Sequence, residues 1–286
     1  MVNRPVRVVV DSTADIPSAL CAELGITVVP DLVHFGDRTY RDGVDLTNDE
    51  FFALLATSPI HPTTSSPGAG VFAAAYQELV RAGADVVSIH PEAGFSGIYS
   101  VAALAAREIT AGRVVVMDSH QVTMGTGWLA ILAARASRAG ATLEEVVTLV
   151  EQTRERVYLI AVLDTLVPLQ KSGRLGRLSS LIGTALEIKP LFAVHRGQPE
   201  VLERPRTRRK ARERLVERVR ALAPFQELAV LHTAAWDEAR DLAAELAAAV
   251  FLPRDSILVA QAGAAMGTHV GRRALAACGV VARISP

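Results

Sequence analysis

The stretch HPTTSSPGAGVFAAAYQELVRAGADVVSIHPEAGFSGIYSVAALAAREI, residues 61–109, contains the pattern that decides the fold class. The large apolar residues of its first half recur at helical spacing, at Phe72, Tyr76, Leu79 and Val80. This spacing predicts a helix with one buried face. A short apolar run at 85–89 then indicates a buried strand, and residues 98–109 indicate a second helix. Alternation of this kind predicts a parallel sheet with helices on both faces.

The same alternation continues on both sides of this stretch. We predict buried strands at residues 6–10, 26–29, 85–89, 114–117, 157–163, 228–232 and 257–260. Two Thr-x-x-Glu sequences, at 47–50 and 142–145, match the capping box that begins many helices. Residues 31–41, centred on Gly36-Asp37, are predicted to form an antiparallel hairpin inserted into the α/β pattern.

The character of the sequence changes near residue 160. Beyond that point Pro and Gly recur at intervals and basic residues become frequent, as in DTLVPLQKSGRLGRL. We therefore predict a domain boundary there, in an extended strand or crossover.

Composition excludes several classes of protein. Lys plus Arg equals Asp plus Glu, 30 of each, so net charge gives no reason to expect a nucleic acid. No apolar run approaches the ~20 residues of a membrane span. The chain enters a strand at once, which predicts no signal peptide, and the two isolated cysteines are expected to be buried thiols in a cytoplasmic protein. Neither a nucleotide-binding motif nor zinc-ligand spacing is present, so we expect no cofactor and no metal.

Hydroxyl groups in residues 63–66 precede a helix that we predict to begin at Pro67. They either cap its unpaired backbone N–H groups or hold an anion together with them. Two aspartate-serine pairs, Asp11-Ser12 and Asp118-Ser119, directly follow predicted strands. In an open parallel sheet, ligands bind beyond the carboxyl ends of the strands, so both pairs either cap helices or lie near a site.

Two further segments combine glycine with a polar side chain. Ser96 follows a strand and opens a helix, but Ile98 occupies the place of the second glycine of a hydrolase nucleophile turn. Ser96 is therefore a better candidate for an oxyanion donor than for a nucleophile. His269 stands between Gly267 and Gly271 on a predicted loop, where it would act as a general base or donate to an anion.

Basic residues are dense in RPRTRRKAR, residues 204–212. Apolar residues recur there at helical spacing, so the default interpretation is an amphipathic helix with a solvated charged face. The alternative interpretation is that this segment binds an acidic partner or makes a transient contact with a membrane.

Seven short motifs follow one another along the chain: Asp11–Asp15, Pro62–Ser65, Phe95–Ile98, Asp118–Gly127, Lys171–Gly176, Ile188–Pro190 and Gly267–Gly271. Together they resemble the motifs of the DegV family, bacterial proteins that bind long-chain fatty acids. The resemblance covers nearly the whole chain. It implies an α/β fold with an N-terminal parallel-sheet domain that carries the hairpin, residues 1–160, and a smaller C-terminal α+β domain, residues 161–286.

The resemblance also implies a function. The fatty-acid carboxylate would meet Thr64, Ser96 and His269, with other motif residues close by: Thr63, Gly97 and Thr268. The acyl chain would enter a tunnel between the domains. A separate fatty-acid kinase, docking near Arg174 and Arg206, would phosphorylate the bound carboxylate for phospholipid synthesis. The chain itself would be a carrier and not an enzyme.

Two departures from the family pattern concern the head group. Isoleucine at 98 replaces a threonine of the family, and Glu92 stands in a segment that is usually rich in serine. Glu92 would repel a carboxylate if it faced the site.

Two alternative functions compete with the carrier. One is a serine esterase or thioesterase that uses Ser96 and His269, with Asp118 or Asp11 as the orienting acid. The other is a nucleic-acid binder that works through residues 204–214, which interleaved glutamates make less favourable.

Overall fold

The computed structural model describes residues 4–176 and 188–283. In chain order the first part contains β1 (Val6–Asp11), α1 (Ser18–Leu24), β2 (Thr27–Val29), β3 (Leu32–Phe35), β4 (Arg38–Arg41), α2 (Asn48–Thr57), β5 (Thr63–Ser65), α3 (Ala69–Arg81), β6 (Asp85–His90), α4 (Ile98–Ala106), β7 (Val114–Asp118), α5 (Met124–Arg138) and α6 (Leu143–Arg154). It continues with β8 (Val157–Val162), α7 (Val167–Lys171), β9 (Leu191–His195), β10 (Gln198–Glu203), α8 (Arg208–Arg220), β11 (Phe225–His232), α9 (Trp236–Val250), β12 (Ile257–Gln261), α10 (Ala264–Val270) and β13 (Leu275–Val281).

Four strands form a parallel sheet in the order β2-β1-β6-β7. One face packs against α3 and α4 through a cluster that contains Val9, Phe72 and Tyr76. The other face, which includes Val8 and Val10, packs against α5 and α6. These contacts confirm the predicted parallel sheet with helices on both faces. Both predicted capping boxes, at α2 and α6, are also confirmed.

A second sheet has the strand order β10-β9-β8-β13-β11-β12. Among the described strands of this sheet, β11 and β12 pair in parallel and the other neighbours are antiparallel. The prediction of parallel pairing was therefore wrong for β8. Its partners β9 and β13 come from chain segments that the strand prediction had missed. The two sheets share one cluster of buried side chains around α5, whose Trp128 donates to Cys278 O at 3.0 Å. The division of the chain near residue 160 stays a prediction.

The hairpin at residues 31–41 is confirmed as β3 and β4. A third strand, β5, joins it, with Thr64 opposite Val33. The prediction that residues 63–66 sit at the mouth of a helix beginning at Pro67 was wrong. The helix begins at Ala69, its N-cap is Gly68, and no side chain caps it. The β-branched pair Thr63-Thr64 favours an extended strand, and the free edge of the hairpin supplies its hydrogen-bonding partner.

The segment around His269 is helical, not a loop. It forms α10, which packs against α2 and against the small sheet formed by β4, β3 and β5. Gly267 allows this packing, because a Cβ atom at that position would lie 2.6 Å from Phe51 Cε1. The glycine that suggested a loop therefore serves a close helix contact.

Among the described residues, no helix combines the length and apolar character that crossing a bilayer would require.

Candidate functional site

A cavity of about 280 Å³ lies where the carboxyl ends of the parallel strands face the six-stranded sheet. Pro91 follows β6 and Thr123 lies beyond β7, and both residues line the cavity. Ligands of open parallel sheets bind at this edge. The volume is close to the lower end of the range for ligand pockets, roughly 300–1,000 Å³.

The lining of the cavity contains two kinds of residue. One polar group comprises Thr64, Ser65, Ser66, Ser96, His269 and Arg174, and further polar residues also line the cavity: Thr13, Asp31, Thr123, His232 and Thr233. The apolar wall comes mainly from the six-stranded sheet, at Leu159, Ala161, Phe192, Val194, Leu231 and Ala276. Residues 159 and 161 share one face of β8, because side chains of a strand alternate between its faces. The cavity therefore offers polar partners to one end of a ligand and a hydrocarbon surface to the rest.

Thr64 and His269 meet at the polar part of the cavity. The Oγ1 atom of Thr64 on β5 lies 3.1 Å from His269 Nε2 in the last turn of α10. His269 Nδ1 is buried and has no hydrogen-bond partner among the described residues. Since buried polar atoms are nearly always paired, this nitrogen is available to a bound molecule.

Burial lowers the pKa of His269 to about 4, and the nearby positive charges of Arg174 and His61 act in the same direction. The imidazole is therefore neutral at neutral pH. A neutral imidazole carries one N–H donor and one acceptor nitrogen. If Thr64 donates to one nitrogen, the other nitrogen carries the hydrogen and can donate to an anion.

Arg174 supplies a permanent positive charge beside His269. Its side chain is partly buried, lines the cavity, and donates from Nη1 to Ser172 O at 2.7 Å. A guanidinium group forms strong charge-assisted hydrogen bonds with carboxylates. The polar part of the cavity therefore suits an anion better than a neutral group.

Ser96 and Gly97 lie at the start of α4. Ser96 Oγ accepts from Ile98 N at 3.2 Å, and Gly97 is the N-cap residue of the helix. Both residues line the cavity. Because the Ser96 oxygen acts as an acceptor in this contact, its hydroxyl hydrogen can still be donated to a ligand.

Other residues singled out by the sequence lie outside the lining. Thr63 is exposed and precedes Thr64 on β5, so its side chain is directed to the opposite face. Thr268 is buried and its Oγ1 donates to Ala264 O within α10 at 2.9 Å. Arg206 is exposed and also lies outside the lining.

The two residues that depart from the family pattern, Ile98 and Glu92, lie at different positions relative to the cavity. Ile98 is buried and contributes to the cavity lining, so an apolar group occupies the position of the family hydroxyl. Glu92 does not line the cavity. Its carboxylate accepts from Gly94 N at 3.3 Å and approaches Gly197 of the β9–β10 turn. The expected repulsion of a ligand carboxylate by Glu92 is therefore not supported by its position.

Two buried carboxylates fix the N-terminus of α10 and so position His269. Asp15 accepts from Gly263 N at 2.7 Å, and Asp42 accepts from Ala264 N and Ala265 N at 3.1 and 3.2 Å. Burial raises the pKa of Asp15 to about 7, and the neighbouring Asp42 adds to the shift. Burial also raises the pKa of Asp42.

The family is decided by comparison with known proteins. The family model described as "Uncharacterised protein, DegV family" matches residues 5–282. The chain belongs to the DegV family. It is similar to Protein DegV of Bacillus subtilis, with 32% identity over 277 residues that cover 96% of this chain and 98% of the relative. It is also 37% identical to a DegV domain-containing protein of Streptomyces coelicolor over 273 residues, 94% of this chain and 96% of the relative.

Two solved DegV structures share the fold. The structure described as "Fatty Acid Binding of a DegV family Protein from Thermus thermophilus" has a TM-score of 0.89 and 31% identity, and the match covers 98% of this chain and 100% of that chain. The structure of DegV, described as a fatty acid binding protein from Bacillus subtilis, has a TM-score of 0.86, 31% identity and the same coverage. The mixed α/β architecture is thus that of the DegV fold.

The hydrolase alternative is not favoured in this DegV family chain. His269 contacts Thr64 and not Ser96. Asp11 is fully buried and pairs with His90 Nδ1 at 2.7 Å, while Asp118 accepts from the backbone of Ala93 and His120. Ser96, His269 and these aspartates therefore do not form the hydrogen-bonded series that a serine hydrolase requires.

The basic segment is largely neutralised within the chain. Ion pairs link Arg208 to Glu238 and Arg212 to Glu245 at 2.8 Å, and Arg214 to Glu203 at 2.7 Å. Intramolecular pairing agrees with the solvated-face interpretation. It leaves fewer cations for phosphate groups, so binding of nucleic acid is not favoured.

The sequence predicted neither most of the apolar wall nor the place of five polar lining residues: Thr13, Asp31, Thr123, His232 and Thr233. Residues 157–163 form an uninterrupted apolar run, so no alternation marks 159, 161 and 163 as the side that lines the cavity. Thr13 and Thr123 lie inside two of the seven motifs, Asp11–Asp15 and Asp118–Gly127, which was a usable signal, whereas no motif contains Asp31.

Proposed function

We propose that this DegV family protein binds a long-chain fatty acid. The observation that carries the proposal is the division of one cavity into a polar group around Thr64, Ser96 and His269 and an apolar wall. Relatives with 31% identity and TM-scores of 0.86 and 0.89, described as fatty-acid-binding, support it. The carboxylate binds at the polar group, and Arg174 provides the compensating charge.

The two parts of the ligand contribute differently to affinity. An acyl chain of ~15 methylenes, at ~0.8 kcal/mol each, offers on the order of 12 kcal/mol before the costs of association. Charged hydrogen bonds at the head group contribute roughly 1.5–3 kcal/mol each. The tail therefore provides most of the affinity, and the polar residues fix the orientation of the ligand.

Thr64→Val tests the head-group assignment. The substitution keeps the side-chain shape and the β-propensity but removes the hydroxyl. We expect a loss of fatty-acid affinity of about 10- to 100-fold, measured by titration of delipidated protein with palmitate. Thr63→Val on the exposed face of the same strand is the matched control and should bind like wild type. Equal affinity in both variants would remove Thr64 from the carboxylate site.

The proposal includes presentation of the fatty acid to a separate kinase in the cytoplasm, as a step toward phospholipid synthesis. Arg206 is exposed. It directly follows Pro205, whose backbone oxygen accepts from Lys189 N at 2.7 Å. An exposed cation can dock an acidic surface without contributing to the fold. A transient contact with an anionic membrane surface belongs to the same proposal.

Arg206→Ala tests the docking role. We expect unchanged palmitate affinity but slower acyl-phosphate formation by a matched fatty-acid kinase, most clearly at low salt, because salt screens surface charges. Arg220→Ala, at the exposed end of α8, is the control for a general charge effect. Release of fatty acid from Arg206→Ala, with a normal kinase rate on the loaded fraction, would make Arg206 a ligand contact instead.

A further inference from the structure

Asp31 is a buried acid in the wall of the fatty-acid cavity. Its side chain is 3% exposed, and its Oδ1 atom has no hydrogen-bond partner among the described residues. Buried polar atoms in folded proteins are almost always paired. A carboxyl group that lacks a partner and borders a binding cavity therefore indicates a polar group in the ligand.

Asp31 lies beside the carboxylate-binding residues. Asp42 N donates to Asp31 O at 2.8 Å, which extends the pairing of β3 and β4 by one residue. Val33 is opposite Thr64, so Asp31 and Thr64 are diagonal neighbours on one face of the small sheet. Diagonal neighbours are separated by about 7–8 Å between Cα atoms, within reach of the first carbons of a bound acyl chain.

The other polar groups near Asp31 are already engaged. Ser12 Oγ accepts from Asp31 N at 3.1 Å and donates to Asp42 at 2.9 Å. Thr13 and Thr123 also line the cavity, but their hydroxyls donate to Asp11 and Asp15. Ser12, Thr13 and Thr123 therefore each have a hydrogen-bond partner within the protein. Asp31 differs from them because its Oδ1 atom has none among the described residues and can pair with a ligand.

The protonation state of Asp31 suits a neutral polar partner. Burial raises its pKa well above the usual range, and the adjacent carboxyl groups of Asp11 and Asp42 raise it further. A protonated carboxyl group offers one donor and one acceptor. An alcohol also offers a donor and an acceptor and can pair with it, whereas a methylene group would leave Oδ1 unpaired.

We propose that Asp31 binds a hydroxyl group on one of the first carbons of the acyl chain, so that the cavity selects 2- or 3-hydroxy fatty acids over unsubstituted ones. The inference rests on the proposed function, since it places the carboxylate at Thr64 and His269. It adds a choice among fatty acids that the carboxylate site cannot make.

The test compares palmitate, 2-hydroxypalmitate and 3-hydroxypalmitate by competition on delipidated wild-type protein. We expect at least one hydroxylated ligand to bind about 10-fold more tightly or better, as one buried hydrogen bond predicts. Asp31→Leu should abolish this ratio, and Asp31→Asn should keep part of it. Asp31→Leu should also raise the melting temperature of the apo protein, because it removes an unpaired buried acid.

The outcomes separate the two proposals. If palmitate binds and the hydroxylated ligands bind no better to wild type, the role of Asp31 is overturned and the fatty-acid proposal stands. If Asp31→Leu preserves a wild-type preference, another residue makes the choice and the inference is again wrong. If none of the three ligands binds, the fatty-acid proposal itself fails. If Asp31→Leu does not fold, Asp31→Asn decides the matter, because an undiminished wild-type ratio in that variant would also overturn the inference.

Discussion

Ala276→Phe is expected to eliminate the retention of palmitate and stearate by a protein that still folds. Ala276 lies on β13, in an interior strand of the six-stranded sheet, and it lines the cavity. It is partly exposed, although its neighbours Leu275 and Ala277 are buried. An aromatic ring at this position would occupy much of a cavity of about 280 Å³.

The expected loss of affinity follows from the methylene groups of the acyl chain that the ring would exclude. If the ring excludes half of ~15 methylenes, the loss approaches 6 kcal/mol, and we expect at least a 100-fold lower affinity. Overpacking should cost the fold about 1–3 kcal/mol. Ala248→Phe, on the exposed face of α9, introduces the same ring away from the cavity and should bind palmitate normally. Full occupancy of Ala276→Phe, measured by native mass spectrometry, would show that the acyl chain does not lie there.

Asp15→Asn is expected to stabilise the apo protein at alkaline pH and to do so much less in acid. The pKa of Asp15 in the fold is about 7 against an ordinary value of 3.8, so the folded state binds the proton more tightly than the unfolded chain. Its contribution to the free energy of unfolding is therefore present below about pH 4 and is lost as the pH rises to about 7. The full shift corresponds to about 4 kcal/mol.

An asparagine resembles the protonated acid and has no charge to bury. Its carbonyl oxygen can accept from Gly263 N, and its amide can donate to Thr123 Oγ1, so both contacts of Asp15 are retained. The difference in the free energy of unfolding between variant and wild type isolates the contribution of Asp15 from that of His269, which is present in both proteins. The pKa of His269 is lowered to about 4, so its contribution has the opposite slope and is lost as the pH falls below about 6.5.

Urea unfolding of the delipidated protein at about pH 4.5 and pH 8.5 measures the effect. We expect Asp15→Asn to exceed wild type by up to about 4 kcal/mol at the higher pH and by a small fraction of that at the lower. Asp241→Asn, on the exposed side of α9, should show no such difference. An equal gain at both pH values would mean that Asp15 does not ionise between them.

Local signals in the sequence predicted local structure well. The capping boxes at α2 and α6, the buried face of α3 and the four parallel strands follow from spacing within a few residues. The strand conformation of β5 and the helical conformation of α10 did not follow from local spacing, because each depends on a partner that is distant in the chain. β5 is a strand since the edge of β3 is open to it, and α10 tolerates Gly267 since Phe51 and Phe52 pack there.

The candidate site shows the same limit. Motif resemblance pointed to Thr64 and His269, which are separated by 205 positions in the chain and 3.1 Å in space. It placed Arg174 near the exposed head group as a docking residue, but it did not indicate that Glu92 lies outside the cavity lining. Side-chain direction depends on the packing of whole elements, and the Glu92 carboxylate lies against Gly197, where a Cβ atom would leave it no room.

Native mass spectrometry of the wild-type protein, purified from a bacterial host without added lipid, tests the central proposal most directly. We predict a population that is heavier than the bare chain by the mass of one long-chain fatty acid, and loss of this increment after organic extraction. Extracted protein should regain it with palmitate, oleate or a hydroxypalmitate. A preparation that carries no fatty acid and takes up none of these ligands would contradict the account.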